Sequence, residues 1–269
     1  MEALVIGTRK SGTTWLYSNL LEDGRFSLSR KVKESGFFSG NFDGDIKDYM
    51  ALYDEKDNRA MLEVDTSICY SDMALQQISK YASQVKLILI LRDPVDYLVS
   101  RYTHSLRKGE IKERDVQLAV KNNKWLKDEL DYPKIISRFQ DFNASGKLLV
   151  LSYESLQSDP NKFYKRITKF ILGEDSEMID PNIVERINVA RNSKIPWVSI
   201  MLSNMAKLAR RKGFHHLVNV AKSLKLHTLV EKKAEDKAQG LLRKSSGKLI
   251  SEEFPKSLEI WRAVHGEKV

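Results

Sequence analysis

Residues 3–21, "ALVIGTRKSGTTWLYSNLL", constrain this chain more than any other stretch. An apolar strand runs into a loop of Gly7, Arg9, Lys10, Ser11, Gly12 and two threonines, and the loop runs into a helix. Successive backbone N–H groups at a helix N-terminus form an anion-binding nest. The residues therefore predict a phosphate cradle between strand and helix. It differs from an ATP-binding Walker loop, where lysine directly follows the second glycine. Here Thr13 holds that position and Lys10 lies two residues before Gly12, so Lys10 is expected to reach over the anion from above.

The rest of the chain suits an α/β fold built around that loop. Strand signals occur at Ala3–Thr8, Ala60–Val64, Val85–Leu91 and Lys147–Ser152. The runs "VKLILIL" and "KLLVLS" are nearly continuously apolar, as strands covered on both faces of a parallel sheet must be. Helical patterns fall between them, at Thr13–Leu21, Asp45–Leu52, Ser71–Tyr81, Pro94–Leu106, Trp125–Phe142 and Pro160–Leu172. Strand–helix alternation predicts a P-loop-like, doubly wound parallel sheet flanked by helices, with ligands gathered at the strands' carboxyl ends. From about Ile195 the sequence turns lysine-rich and helical, with no strand signal. Residues 1–195 are read as the α/β core and 196–269 as a helical C-terminal cap of one domain.

Charge and cysteine content narrow the class of partner. Lysine and arginine outnumber acids 45 to 36 over 269 residues, which favours anionic ligands. Cys69 is the only cysteine, so no intrachain disulfide can form. No apolar run approaches the ~20 residues that span a bilayer. With a strand beginning at Ala3, no room is expected for a secretory leader, and the expected setting is cytoplasmic. The basic tail, about Trp197–Leu242, is expected to line an acceptor cleft or to dock on an anionic membrane surface. A P-loop kinase and a non-enzymatic lipid- or nucleic-acid-binding protein are the competing classes. Lys10 is misplaced for the first, and only the tail supports the second.

Three motifs in order carry a family resemblance. "RKSGTTWLY" resembles the 5′-phosphosulfate loop of sulfotransferases that use 3′-phosphoadenosine 5′-phosphosulfate (PAPS). "LILILRDPVDYLVSRY" resembles their second element, an arginine at a strand end with a serine eight residues on, here Arg92 and Ser100. "KVKESGFF" at Lys31–Phe38, followed by "DYMALY" and "EVDTS", resembles the carbohydrate sulfotransferases related to the heparan sulfate enzymes. One departure is Val64, where that group usually has a lysine.

The resemblance implies roles for particular residues. Lys10 would meet the bridging oxygen and 5′-phosphate, with the amides of Ser11, Gly12, Thr13 and Thr14 and the two threonine hydroxyls on the same group. Arg92 and Ser100 would hold the 3′-phosphate, Trp15 would lie along the adenine, and Arg9 would support the cradle. Glu34 would be the general base, with Lys33 on the sulfuryl oxygens and Phe37 and Phe38 as a dry wall. His104 is the rival base, as in the histidine-using cytosolic enzymes. The implied donor is PAPS, the product adenosine 3′,5′-bisphosphate, and the acceptor a hydroxyl or amine of a saccharide or glycoconjugate. A small-molecule or lipid alcohol is the alternative acceptor. No metal and no nucleic acid are expected.

Overall fold

A computed structural model describes residues 1–53, 59–173 and 226–266. Five parallel strands form one sheet: β1 (Ala3–Gly7), β2 (Phe26–Ser27), β3 (Ala60–Val64), β4 (Lys86–Leu91) and β5 (Leu148–Ser152), in the order β2-β3-β1-β4-β5. β1 is central, with Leu4 opposite Glu63 of β3 on one side and Leu87 of β4 on the other. The crossovers leave β1 in opposite directions, so a crevice opens at the carboxyl ends of β1, β3 and β4, where ligands bind in such sheets.

Side-chain alternation divides the core. Leu4 and Ile6 pack on one face with Phe37, Phe38, Ile78, Tyr132 and Phe139. Ala3 and Val5 pack on the other with Leu16, Leu20, Phe26, Phe163 and Ile167. Every residue of β1 is buried, as the unbroken apolar run requires of a strand covered on both sides. Each large aliphatic side chain so removed from water contributes about 2 kcal/mol.

The helices α1 (Thr13–Glu22), α2 (Ile46–Met50), α3 (Ala74–Tyr81), α4 (Pro94–Lys108), α5 (Val116–Asn122), α6 (Lys124–Leu130), α7 (Tyr132–Arg138), α8 (Gln140–Ala144), α9 (Tyr153–Ser158) and α10 (Pro160–Leu172) flank the sheet. Toward the C-terminus come α11 (Leu226–Glu253) and α12 (Pro255–Gly266). A third cluster joins α4, α5 and α6 to Leu249 and Ile250 of α11. α12 packs on α7 and β5.

Two expectations need correction. The pattern over Trp125–Phe142 is not one helix but α6, α7 and α8. Asp131 ends the first and caps the second, accepting from the Lys134 amide, and Pro133 sits in the first turn of α7, where its missing N–H costs nothing. The sequence "RFSLSRKVKE" leading to Glu34 reads as strand-like, but it is a strand only at Phe26–Ser27, because Ser29 then turns the chain, its hydroxyl accepting from the Lys31 and Val32 amides. Most of the basic tail, and the boundary placed at residue 195, lie outside the described residues.

Candidate active site

The loop after β1 is built by its glycines and one strained lysine. Gly12 caps α1 in the left-handed region at φ 79°, with no side chain closing the helix end. The first-turn amides of α1 therefore face outward without the intrahelical partners that later turns have. Lys10 also lies at positive φ, 61°, an uncommon conformation for a residue with a Cβ. The Ser11 side chain turns inward, its hydroxyl 2.6 Å from that of Thr8, so only its amide is left for an anion.

A cavity of about 930 Å³ opens above the loop. Lys10, Gly12, Thr13, Thr14 and Trp15 line it, and so do Arg9, Lys33, Glu34, Arg92 and Ser100. Residues as far apart in the chain as Arg9 and Ser100 thus meet in one crevice. Trp15 reaches the cavity while remaining almost wholly buried, edge-on to Phe163 and Tyr164.

Arg92 ends β4 and bridges the two halves of the crevice. Its Nη1 donates to the Lys10 carbonyl at 2.9 Å, and its guanidinium lies 4.9 Å over the Tyr153 ring. Its Nε is buried and has no hydrogen-bond partner. A buried charged donor without an acceptor is costly, so this atom fits an anionic ligand group. Burial, then the charges of Arg92, Arg107, Arg101 and Lys108, hold the Lys10 ammonium below the usual lysine range.

The segment carrying Glu34 is fixed from below by β3. Lys33 Nζ reaches Thr13 Oγ1 at 3.4 Å and Glu34 at 2.9 Å, while Thr66 donates to Glu34 at 3.1 Å. Glu63 accepts from the Ser35 amide at 3.0 Å, from the Ser35 hydroxyl, and from Tyr49 at 2.8 Å. Asp65 accepts from the Gly36 amide at 3.1 Å. Phe37 and Phe38 do not form a cavity wall. They are core residues, Phe37 stacked on Tyr49 at 4.2 Å, and they anchor the segment rather than face the crevice.

His104 and Lys108 follow Ser100 by one and two steps of four along α4, so the three share a face, and all line the cavity. Burial, then Lys10, Lys108 and Arg101, push the His104 imidazole below its ordinary value. Sequence reasoning missed Glu63, Asp65, Glu129 and Tyr153, which surround the expected residues. "EVDTS" and "YESLQSDP" were the only signals, because the partners of a buried carboxylate lie far off in the chain. Among the described residues no group of histidines, cysteines and carboxylates could hold a metal, and no helix is long and apolar enough to cross a membrane.

Comparison with known proteins agrees with this geometry. The sulfotransferase domain family matches residues 1–216. The bifunctional heparan sulfate N-deacetylase/N-sulfotransferase 4 of Mus musculus is 25% identical over 189 residues, covering 62% of this chain and 22% of that protein. The chain thus spans about a fifth of the length of the curated relative it matches. A sulfotransferase from Alicyclobacillus acidocaldarius shares the fold at a TM-score of 0.58 and 19% identity, over 80% of this chain and 95% of that one. Mouse sulfotransferase SULT7A1, solved with PAP, aligns at a TM-score of 0.49 and 19% identity, over 68% and 63% of the two chains. This chain therefore belongs to the sulfotransferase domain family, enzymes whose sulfuryl donor is PAPS.

Proposed function

We propose that the crevice holds PAPS with its two phosphate ends on opposite sides of Lys10 and transfers the sulfuryl group to a hydroxyl or amine of a saccharide or glycoconjugate. The observation that carries this reading is Arg92, tied to the loop by the Lys10 carbonyl and keeping a buried Nε unpaired. Arg92 with Ser100 takes the 3′-phosphate. The amides of residues 11–14, the Thr13 and Thr14 hydroxyls and Lys10 take the 5′-phosphosulfate, and Arg9 supports the loop. Trp15 lies along the adenine.

Such a transfer passes through a loose transition state, so positioning and charge stabilisation supply most of the catalysis. An acceptor O–S bond forms as the bond from sulfur to the bridging oxygen breaks. Lys10 stabilises the charge developing on that bridging oxygen, and Lys33 stabilises the sulfuryl oxygens. Glu34 accepts the acceptor's proton, and Lys33 and Thr66 hold its carboxylate beside Thr13.

The saccharide acceptor is supported by the "KVKESGFF" segment, which brings Glu34 to the loop. It is supported also by the matched relative, whose name places it on heparan sulfate. Val64 is wholly buried between β1 and the helices, so any cation for the acceptor comes from elsewhere, and Lys108 on the cavity face of α4 is available for that. A panel of saccharides and small alcohols with labelled PAPS separates the two acceptor classes, and label passing only to small alcohols overturns the saccharide reading.

The donor reading is tested by calorimetric titration with adenosine 3′,5′-bisphosphate in metal-free buffer. The bisphosphate should bind far more tightly than AMP. Arg92→Ala should weaken it by about ten- to a hundred-fold, the worth of a lost charge-assisted pair. Equal binding of the bisphosphate and AMP overturns the assignment.

A further inference from the structure

Glu129, on α6, is a buried carboxylate that faces the crevice from outside every motif of the resemblance. It receives Arg9 Nη1 on one oxygen at 2.5 Å. On the other it receives Arg101 Nε at 2.9 Å and the Tyr97 hydroxyl at 2.7 Å. Arg9 belongs to the phosphate loop and Arg101 directly follows Ser100 on α4, so one carboxylate ties both halves of the donor site to a third element. Arg9 is further held over the Tyr70 ring at 5.0 Å, and Arg101 over Trp125 at 4.4 Å. Both guanidiniums line the cavity. Each has its charge stabilised chiefly by Glu129, against the burial that opposes it.

We infer that Glu129 is a positioning residue that holds Arg9 and Arg101 back from the nucleotide and cancels much of their field, so that the bisphosphate product can leave. This rests on the donor reading given above. The cavity wall carries six cations, Arg9, Lys10, Lys33, Arg92, Arg101 and Lys108, against the carboxylates of Glu34, Glu110 and Glu129. A dianionic group at each end of the product meets all of that surplus. With Glu129 neutral, Arg9 would lose its carboxylate and Arg101 would keep only Glu110, 3.0 Å from its Nη1, so more of their field would reach the phosphates and turnover would become limited by release of product.

Glu129→Gln keeps the shape and the acceptor for Tyr97 while removing the charge. It should bind adenosine 3′,5′-bisphosphate about ten-fold more tightly at low salt, with a steeper loss of affinity as salt rises. Its kcat should fall together with the KM for PAPS. Adding Arg101→Gln should return the affinity toward that of the unaltered protein, whereas damage to a merely structural contact would be made worse by the second change. Should Glu129→Gln not fold, Arg101→Gln alone reads the same balance and should weaken the bisphosphate several-fold. If the bisphosphate binds normally and depends on Arg92, yet folded Glu129→Gln binds it no more tightly, the inference fails by itself. If Glu129→Gln does not fold and Arg101→Gln leaves binding unchanged, it fails as well. An unaltered protein that does not bind the bisphosphate overturns the donor reading and this inference with it.

Discussion

Glu34 and His104 divide the question of the general base between two side chains in one cavity. Glu34 sits on the Thr13 side, joined to the loop through Lys33, while His104 lies one helical step beyond Ser100 in a field of cations. A base removed from its substrate costs about 10²–10⁴-fold in rate. Glu34→Gln should therefore lose at least about 10²-fold in kcat with bisphosphate affinity kept, and His104→Ala less than about ten-fold on the same scale. Steady-state kinetics of the two variants decide the matter, and the reverse ranking moves the base to His104. Beneath Glu34, burial raises the Glu63 carboxyl to about pH 7, and Asp65 adds to the effect, against the hydrogen bonds from Ser35 and Tyr49 that favour the ion. The folded chain thus holds this proton more tightly than the unfolded chain does, where glutamate releases near ~4.3. Stability from this group is complete below that value and is lost as the pH climbs through about 7. The loss amounts to about 3–4 kcal/mol. Glu63→Gln should escape it, so its Tm should gain on that of the unaltered protein between about pH 5 and pH 8 in thermal melts. A constant difference in Tm across that range would refute the assignment.

At the scale of elements, the site is a matter of how strands end and helices begin. Gly12 both opens α1 and abuts α9: a Cβ there would stand 2.6 Å from Leu156 Cδ2 and 3.0 Å from Tyr153 Cε2. Gly12→Ala adds that overlap to the ~1–2 kcal/mol cost of a left-handed alanine, and it shifts the Tyr153 ring that carries Arg92. It should lower Tm by several degrees and weaken bisphosphate binding at least ten-fold, both about the scale of ~1–2 kcal/mol. Calorimetry and melts check the two together, and unchanged binding would mean that the loop tolerates the displacement. The longer strands were legible in the sequence because a doubly covered parallel strand must be apolar on both faces, and the runs at 87–91 and 148–151 are. The division of 124–144 into three helices was not, since it depends on Asp131 and Phe139 as boundaries inside an otherwise continuous helical period. That the loop after β1, Arg92 and Glu34 meet in one crevice was legible from their order along the chain. Glu129 was not, because its meaning comes from Arg9, 120 residues away, which no local pattern records.

For the molecule as a whole, the crevice is braced by an element remote from it in sequence. Trp261 of α12 donates to Glu154 Oε2 at 2.9 Å, and Glu154 Oε1 accepts from the Asp93 amide next to Arg92, also at 2.9 Å. Tyr132, beside Ser257 of α12, donates to the Arg92 carbonyl at 2.7 Å. Trp261→Phe keeps most of the ring and removes one buried hydrogen bond of about 1 kcal/mol, so the bisphosphate should bind about three- to ten-fold more weakly. Titration against the unaltered protein checks this, and equal affinity with a lowered Tm would confine Trp261 to packing. The central place of β1 carries a consequence for assembly. Its two neighbours, β3 and β4, come 53 and more residues after its last residue, and until both have paired the strand presents two bare hydrogen-bonding edges and an entirely apolar body. Closing those long loops costs entropy before any pairing repays it, so the first strand to be written is among the last to be enclosed. During that interval it is the part of the chain most apt to pair with a strand of another molecule. A nucleotide present at that moment has no cradle to enter, because the loop that forms the cradle hangs from the one strand still waiting for its neighbours.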